Sequence, residues 1–181
     1  MRLLLSAACT LSLLAHAASA QSVPPTAEPA LGDTILQLNV EGGRYMELET
    51  GTVGNPIDLA AELAIERINE HPKWAARSSV CVRNASSDYQ ACVHVSQRYS
   101  DGRELVVNRT LYKDHGKTLV SSEPVQGSFE VGSKIAIGVR SGADTIEFKV
   151  GAGPWLMQAL PFSPKSVYMS CSSALCRLLL R

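Results

Sequence analysis

The sequence predicts an all-β protein, built as an antiparallel β-sandwich of the jelly-roll type. Short runs of alternating apolar and polar residues recur along the chain, and turns containing Gly or Asp separate them about every 8–12 residues. The chain of 181 residues is 45% hydrophobic, too apolar for a disordered protein and sufficient for a substantial core. No internal repeat divides it, so we expect residues 33–181 to form one sandwich domain.

Alternation defines the predicted strands, and turn residues place their ends. Gly42-Gly43 turns the chain after the first strand, and Met46 and Leu48 then share one face of the second. Further turns follow at residues 85–88, 100–102 and 141–144. The predicted strands, in order, are residues 34–40, 44–49, 58–70, 79–82, 89–99, 104–112, 134–140, 145–150, 166–171 and 176–180.

Residues 58–70, DLAAELAIERINE, permit two interpretations. The segment is rich in good helix formers and poor in β-branched residues, which favours a helix. Its alternation, however, places Leu59, Leu63 and Ile65 on one face, and His71-Pro72 ends it abruptly. We favour a strand, because the neighbouring segments are predicted strands.

The first 20 residues have the features of a secretory signal peptide. Arg2 supplies a positive charge, a short apolar run follows, and small residues at Ala18 and Ala20 precede a cleavage site. We expect cleavage after Ala20, a flexible Pro-rich leader over residues 21–32, and secretion or a periplasmic location.

Cleavage would remove Cys9 and leave four cysteines, an even number that indicates disulfides in an exported chain. Four cysteines allow three pairings, and their spacing favours two local bridges, Cys81–Cys92 and Cys171–Cys176. Each pair would face across a hairpin, the second around a turn centred on Ser173-Ala174. Neither pair has the Cys-x-x-Cys spacing of a zinc or redox centre, so we predict no metal site and no cofactor.

The charge balance excludes one class of partner. The 17 Lys and Arg equal the 17 Asp and Glu, and the expected cleavage changes the net charge only to −1. A nucleic-acid-binding protein normally carries a basic excess or stripe, so we predict no nucleic-acid partner. No apolar run reaches the ~18 residues of a transmembrane helix, so we predict no membrane span in the mature chain.

One hairpin suggests a binding surface. A three-residue loop at 100–102 would pair residues 94, 96 and 98 with residues 108, 106 and 104. This register keeps most apolar side chains on one face, with Val106 as the exception, whereas a two-residue loop would mix the faces. The opposite face would carry the candidate ligand-binding side chains His94, Ser96, Arg98, Glu104 and Asn108.

Such a cluster on a rigid sheet can bind the hydroxyls of a sugar, while an aromatic ring covers the sugar's apolar face. Trp155, or alternatively Trp74, could supply that ring. The simpler interpretation is an exposed face with an Arg98–Glu104 ion pair and nothing bound. Asn84 and Asn108 also begin glycosylation sequons, and a glycan on Asn108 would conflict with ligand binding there.

The segment His94-Val95-Ser96-Gln97-Arg98, followed by Val106-Val107-Asn108, resembles the galectin pattern His-x-Asn-x-Arg followed by Val-x-Asn. The succession of strands after residue 129 is also similar to galectins and laminin-G-like modules, and the resemblance covers about 100 residues. Ser96 stands where galectins have Asn, and residues 113–117 lack a counterpart of their Trp-x-x-Glu-x-Arg element. The resemblance implies a concanavalin-like jelly roll rather than galactoside specificity.

An enzymatic alternative rests on Glu62-Leu63-Ala64-Ile65-Glu66, which looks like the Glu-x-Asp-x-Glu strand of jelly-roll glycoside hydrolases. Residues i and i+4 of a strand share a face but lie ~13 Å apart at Cα. The carboxyl groups of a retaining pair lie ~5–5.5 Å apart. Because Ala64 replaces the middle Asp, we expect solvated Glu side chains rather than a catalytic pair.

The sequence therefore predicts an exported, non-catalytic binding module whose partner is a glycan. Two alternatives stay open. One is a protein-interaction or structural module that binds a protein at the cell surface or in the periplasm. The other is a small jelly-roll glycoside hydrolase that uses Glu62 and Glu66.

Overall fold

Antiparallel pairing joins the twelve strands of the described residues into two six-stranded sheets. The structure is a computed structural model, and it describes residues 34–52, 56–99, 102–142 and 144–181. The predictions for the signal peptide and the leader lie outside these residues. Within the described ranges, no helix is long and apolar enough to cross a membrane.

The strands lie close to the predicted positions. Sheet A has the order β1-β12-β3-β8-β9-β10, and sheet B has the order β2-β11-β4-β5-β6-β7. Their bounds are β1 Thr34–Asn39, β2 Tyr45–Thr52, β3 Asp58–Ile68, β4 Arg77–Arg83, β5 Gln90–Gln97, β6 Glu104–Lys113, β7 Thr118–Glu130, β8 Ile135–Ser141, β9 Thr145–Val150, β10 Leu156–Ala159, β11 Ser166–Ser172 and β12 Ala174–Leu180. The all-β sandwich predicted from the alternation is confirmed.

The core lies between the two sheets. Alternate residues of each strand point to one face, so Leu63 and Ile65 of β3 enter the core from sheet A. Val93 and Val95 of β5 enter it from sheet B, and all four of these side chains are inaccessible to solvent. The intervening residues of each strand point away from the core and form the two outer faces.

The ambiguous segment is the strand β3, as favoured above. It pairs with β12 on one side and β8 on the other, so it is a central strand of sheet A. Its helix propensity is overridden because both of its edges are paired and its apolar face is buried. It ends at Ile68, and the Asn69 amide then donates to the Ser173 carbonyl at 2.8 Å.

β7 and β10, each an edge strand of its sheet, were not among the strands predicted from the sequence. Most residues of β7 are exposed, and Val125 and Phe129 are those that pack against the core. Such a strand shows little alternation, and Pro124 and Gly127 resemble loop residues. An edge strand tolerates proline because one of its edges needs no hydrogen-bond donor.

Both predicted disulfides are present. Cys81 and Cys92 lie directly opposite each other on β4 and β5, with Cα atoms 4.1 Å apart. Cys171 belongs to sheet B and Cys176 to sheet A, with Cα atoms 6.0 Å apart. The hairpin predicted around this second bridge is wrong, because the chain crosses between the sheets at Ser173. Two disulfides indicate an oxidising compartment.

Candidate functional site

The pairing of β5 with β6 has the predicted register. His94 lies opposite Asn108, and Ser96 lies opposite Val106. Beyond the last paired residues, the Arg98 amide donates to the Glu104 carbonyl at 2.9 Å. Because alternate residues share a face, one outer surface of sheet B carries His94, Ser96, Arg98, Glu104 and Asn108, here called the β5–β6 patch.

Arg98 and Glu104 form the exposed end of the patch. Arg98 Nε lies 3.3 Å from Glu104 Oε1, and the two side chains are 45% and 38% exposed. Exposed ion pairs of this kind contribute about 0–1 kcal/mol to stability. The pair therefore does little for the fold, but it presents a fixed donor and acceptor to solvent.

His94 forms the buried end of the patch. Its Nδ1 shares a hydrogen bond with the Ser79 hydroxyl of β4, and its ring meets Tyr112 edge-on at 5.8 Å between centroids. Burial lowers the pKa of His94 to about 3, and the nearby Arg77 lowers it further in the same direction. The imidazole is therefore neutral at physiological pH.

Two polar atoms beside Asn108 are buried and have no hydrogen-bond partner among the described residues. They are His94 Nε2 and Thr110 Oγ1. Thr110 lies opposite Cys92, two residues along β6 from Asn108, so both atoms belong to the same outer face. An unsatisfied buried polar group costs about 1–3 kcal/mol.

Buried groups on the neighbouring strands support the patch. The Cys81–Cys92 bridge and the Tyr168 side chain pack together on this outer face. Tyr168 donates a hydrogen bond to Gln90, and the Arg83 guanidinium lies 4.8 Å from its ring centroid. Burial raises the pKa of the Tyr168 hydroxyl well above its ordinary value, so it stays protonated. Cys81, Cys92 and Tyr168 therefore form a small second hydrophobic cluster on the outer face of sheet B.

Sequence reasoning missed Ser79, Thr110 and Tyr112, although the signals were present. Thr110 and Tyr112 have the same parity as Asn108 on β6, so alternation places them on its face. The Cys81–Cys92 pairing places residue 79 opposite residue 94, as observed. Tyr168 carried no such signal, because β11 joins sheet B by a long-range pairing that local pattern does not determine.

The structure does not bring Trp155 to the patch. Its ring packs on Gly138 and on the Arg140 guanidinium, which belong to sheet A, on the other side of the core. The expectation that Trp155 covers the β5–β6 patch is therefore wrong. Trp74 lies in the loop between β3 and β4 and is 49% exposed. The aromatic ring in contact with the patch is that of Tyr112.

Glu62 and Glu66, the residues of the enzymatic alternative, have separate surroundings on β3. Glu62 pairs with Lys134 at 3.7 Å and Arg181 at 3.6 Å, and lines a depression of about 300 Å³. Glu66 accepts a hydrogen bond from Gln37 at 3.2 Å and lines a different depression of about 210 Å³. Each carboxylate therefore has its own partners, which favours structural roles over a shared reaction site.

A scan against protein-family models and a search of the curated proteins found no match. Solved structures are similar in fold. The carbohydrate-binding module CBM66 from Bacillus subtilis superposes with a TM-score of 0.55 at 8% identity, over 78% of this chain and 81% of that chain. The Bacillus licheniformis beta-glucanase has a TM-score of 0.54 at 12% identity, over 86% and 80%. At these identities the likeness shows the jelly-roll fold.

Proposed function

We propose that this concanavalin-like jelly roll is an exported, non-catalytic module that binds carbohydrate through the β5–β6 patch. The observation that carries the proposal is the register of β5 and β6, which places the polar side chains of Arg98, Glu104 and Asn108 on one outer face of sheet B. The presence of a carbohydrate-binding module among the structural neighbours supports this ligand class.

The chemistry of the patch suits a sugar. The Arg98 guanidinium is a fixed hydrogen-bond donor, Glu104 is an acceptor, and the Asn108 amide can do both. Each hydroxyl of a sugar both donates and accepts, so such mixed groups can satisfy neighbouring hydroxyls. Glu104 and Asn108 stand on the paired strand β6, and this rigid backbone lowers the entropy lost on binding.

A glycan array comparing the wild-type protein with Arg98→Ala and Asn108→Ala tests the proposal. We expect dose-dependent binding by the wild type and a loss of at least about tenfold in each variant, because each variant removes hydrogen bonds to the ligand. Arg67→Ala is the matched control, since Arg67 is an exposed arginine of β3 in the other sheet. It should bind like the wild type.

Two results would contradict the proposal. One is silence of the wild-type protein across the array. The other is binding that both patch variants retain in full while their thermal unfolding matches that of the wild type. Release of reducing ends from any bound glycan, abolished by Glu66→Gln, would instead support the glycoside hydrolase alternative.

Export can be tested separately from binding. We expect the mature protein to begin at Gln21, because the Ala18-x-Ala20 pattern matches signal-peptidase cleavage. Amino-terminal sequencing of the protein from culture medium or periplasm checks this. A protein that retains Met1 and carries free thiols at its cysteines would contradict export.

A further inference from the structure

The outer face of sheet A contains a depression of about 300 Å³, at the lower limit of the ~300–1,000 Å³ typical of ligand pockets. Small residues of the paired strands β3 and β8 line it, with Ala60 opposite Gly138 and Ala136 opposite Glu62. Trp155 lines the same depression. The core of the sandwich separates this face from the β5–β6 patch, so the two surfaces are independent.

Trp155 is held in a fixed orientation at the depression. The Arg140 guanidinium stacks on its ring, 4.2 Å from the centroid. The six-membered ring lies over Gly138, where a Cβ would stand 2.6 Å from Cη2 of the indole. A glycine is therefore required at position 138 for the ring to lie where it does. A large aromatic surface that is ordered in this way can pack on a ligand at little cost in entropy.

Most of the charged side chains around Trp155 are paired. Arg140 lies 3.4 Å from Asp58, and Glu62 contacts Lys134 and Arg181 at 3.7 and 3.6 Å. Lys149 adds a further cation to the lining of the depression. These groups place hydrogen-bond donors and acceptors around the ring, so the surroundings suit a ligand rich in hydroxyl groups rather than an apolar chain.

We propose that this depression, here called the Trp155 groove, is a second carbohydrate site that binds a pyranose unit. The axial C–H groups of a pyranose form an apolar face, which packs by dispersion against the face of the indole opposite Arg140. Its hydroxyls then reach Arg140 and Glu62 at the rim. The site does not depend on the β5–β6 patch and can exist whether or not that patch binds sugar.

Tryptophan fluorescence tests the Trp155 groove directly. The chain has two tryptophans, so the Trp74→Phe protein keeps Trp155 as its single tryptophan. We expect a saturable change in its emission during titration with at least one of cellohexaose, laminarihexaose, xylohexaose and galactohexaose. No change with any of these up to millimolar concentration would overturn the proposal.

Two variants in the Trp74→Phe background identify the groove as the site. Arg140→Gln removes the stacked cation, and Gly138→Ala forces the indole to move, so each should weaken binding at least about tenfold. Arg140 is 51% exposed, so its variant tests the site even where Gly138→Ala fails to fold. Arg67→Ala, on the same sheet outside the groove, should leave the titration unchanged. An unaltered affinity in Arg140→Gln would contradict the assignment.

The two carbohydrate proposals can fail separately. If array binding is lost in Arg98→Ala and the emission of Trp155 does not change on titration, the Trp155 groove is refuted and the β5–β6 patch is supported. A Trp155 response that persists in Asn108→Ala, together with array binding that the patch variants retain, supports the Trp155 groove and refutes the β5–β6 patch. A Trp155 response that disappears in Asn108→Ala refutes an independent groove.

Discussion

His94 has structural contacts on the outer face of sheet B that carries the proposed site. Its Nδ1 shares a hydrogen bond with the Ser79 hydroxyl, and its ring meets Tyr112 edge-on. Its Nε2 is buried without a partner among the described residues.

The neutral state of His94 makes stability depend on pH. In the unfolded chain its pKa is near 6.5, whereas in the fold it is about 3. The unfolded state therefore binds more protons between these two pKa values, so protonation of His94 favours unfolding. The stabilising contribution of the neutral His94 ring is complete above pH 6.5 and is lost as the pH falls toward 3. We expect the difference in free energy of unfolding between wild type and His94→Gln to change by up to about 1.4 kcal/mol per pH unit below pH 6.

Urea denaturation of both proteins at several pH values between 4 and 7 measures this difference. The remaining histidines and the carboxylates are present in both proteins, so their titration cancels. Parallel pH profiles for the two proteins would show that His94 titrates normally and is not buried as described.

At the scale of the elements, the two disulfides constrain the fold differently. Cys81–Cys92 ties two neighbouring strands of sheet B, and Cys171–Cys176 ties the two sheets together. The separations of 11 and 5 residues correspond to loop-entropy contributions of about 3 and about 2 kcal/mol. We expect the paired Cys→Ala variants to lose stability in that order, measured by urea denaturation with reduced wild type as control.

Equal losses, or a larger loss for the Cys171–Cys176 variant, would show that the entropy of the unfolded chain does not dominate the stabilisation by these disulfides. In that case the link between the sheets at Ser173 would contribute more than its short loop indicates. Ser173 accepts a hydrogen bond from the Gly43 amide at 2.9 Å through its hydroxyl, so this crossover has contacts beyond the disulfide.

Local pattern predicted most strands and the β5–β6 register, because alternation and the buried face determine both. It missed β7, whose exposed residues carry no alternation, and it misplaced Trp155. The ring lies on Gly138 of β8, and alternation did not show that β8 belongs to sheet A, on the other side of the core from β5 and β6. Pairings between strands distant in sequence are set by packing of the whole sandwich, and no single segment encodes them.

For the whole molecule, the proposed sites lie on opposite outer faces with the core between them. A module that binds sugar on both faces can link two glycan chains. We expect the wild-type protein to increase the turbidity of a soluble polysaccharide that it binds, and Arg98→Ala or Arg140→Gln alone to abolish that increase. Turbidity that either variant retains would indicate that one face is sufficient and that the molecule does not cross-link through both.

An amide chemical-shift titration of the ¹⁵N-labelled protein with the strongest glycan from the array tests whether carbohydrate binds at the β5–β6 patch. We predict saturable shifts in residues 94–98 and 104–110, including the side-chain amide of Asn108. Saturable binding that leaves these residues unshifted would contradict the account.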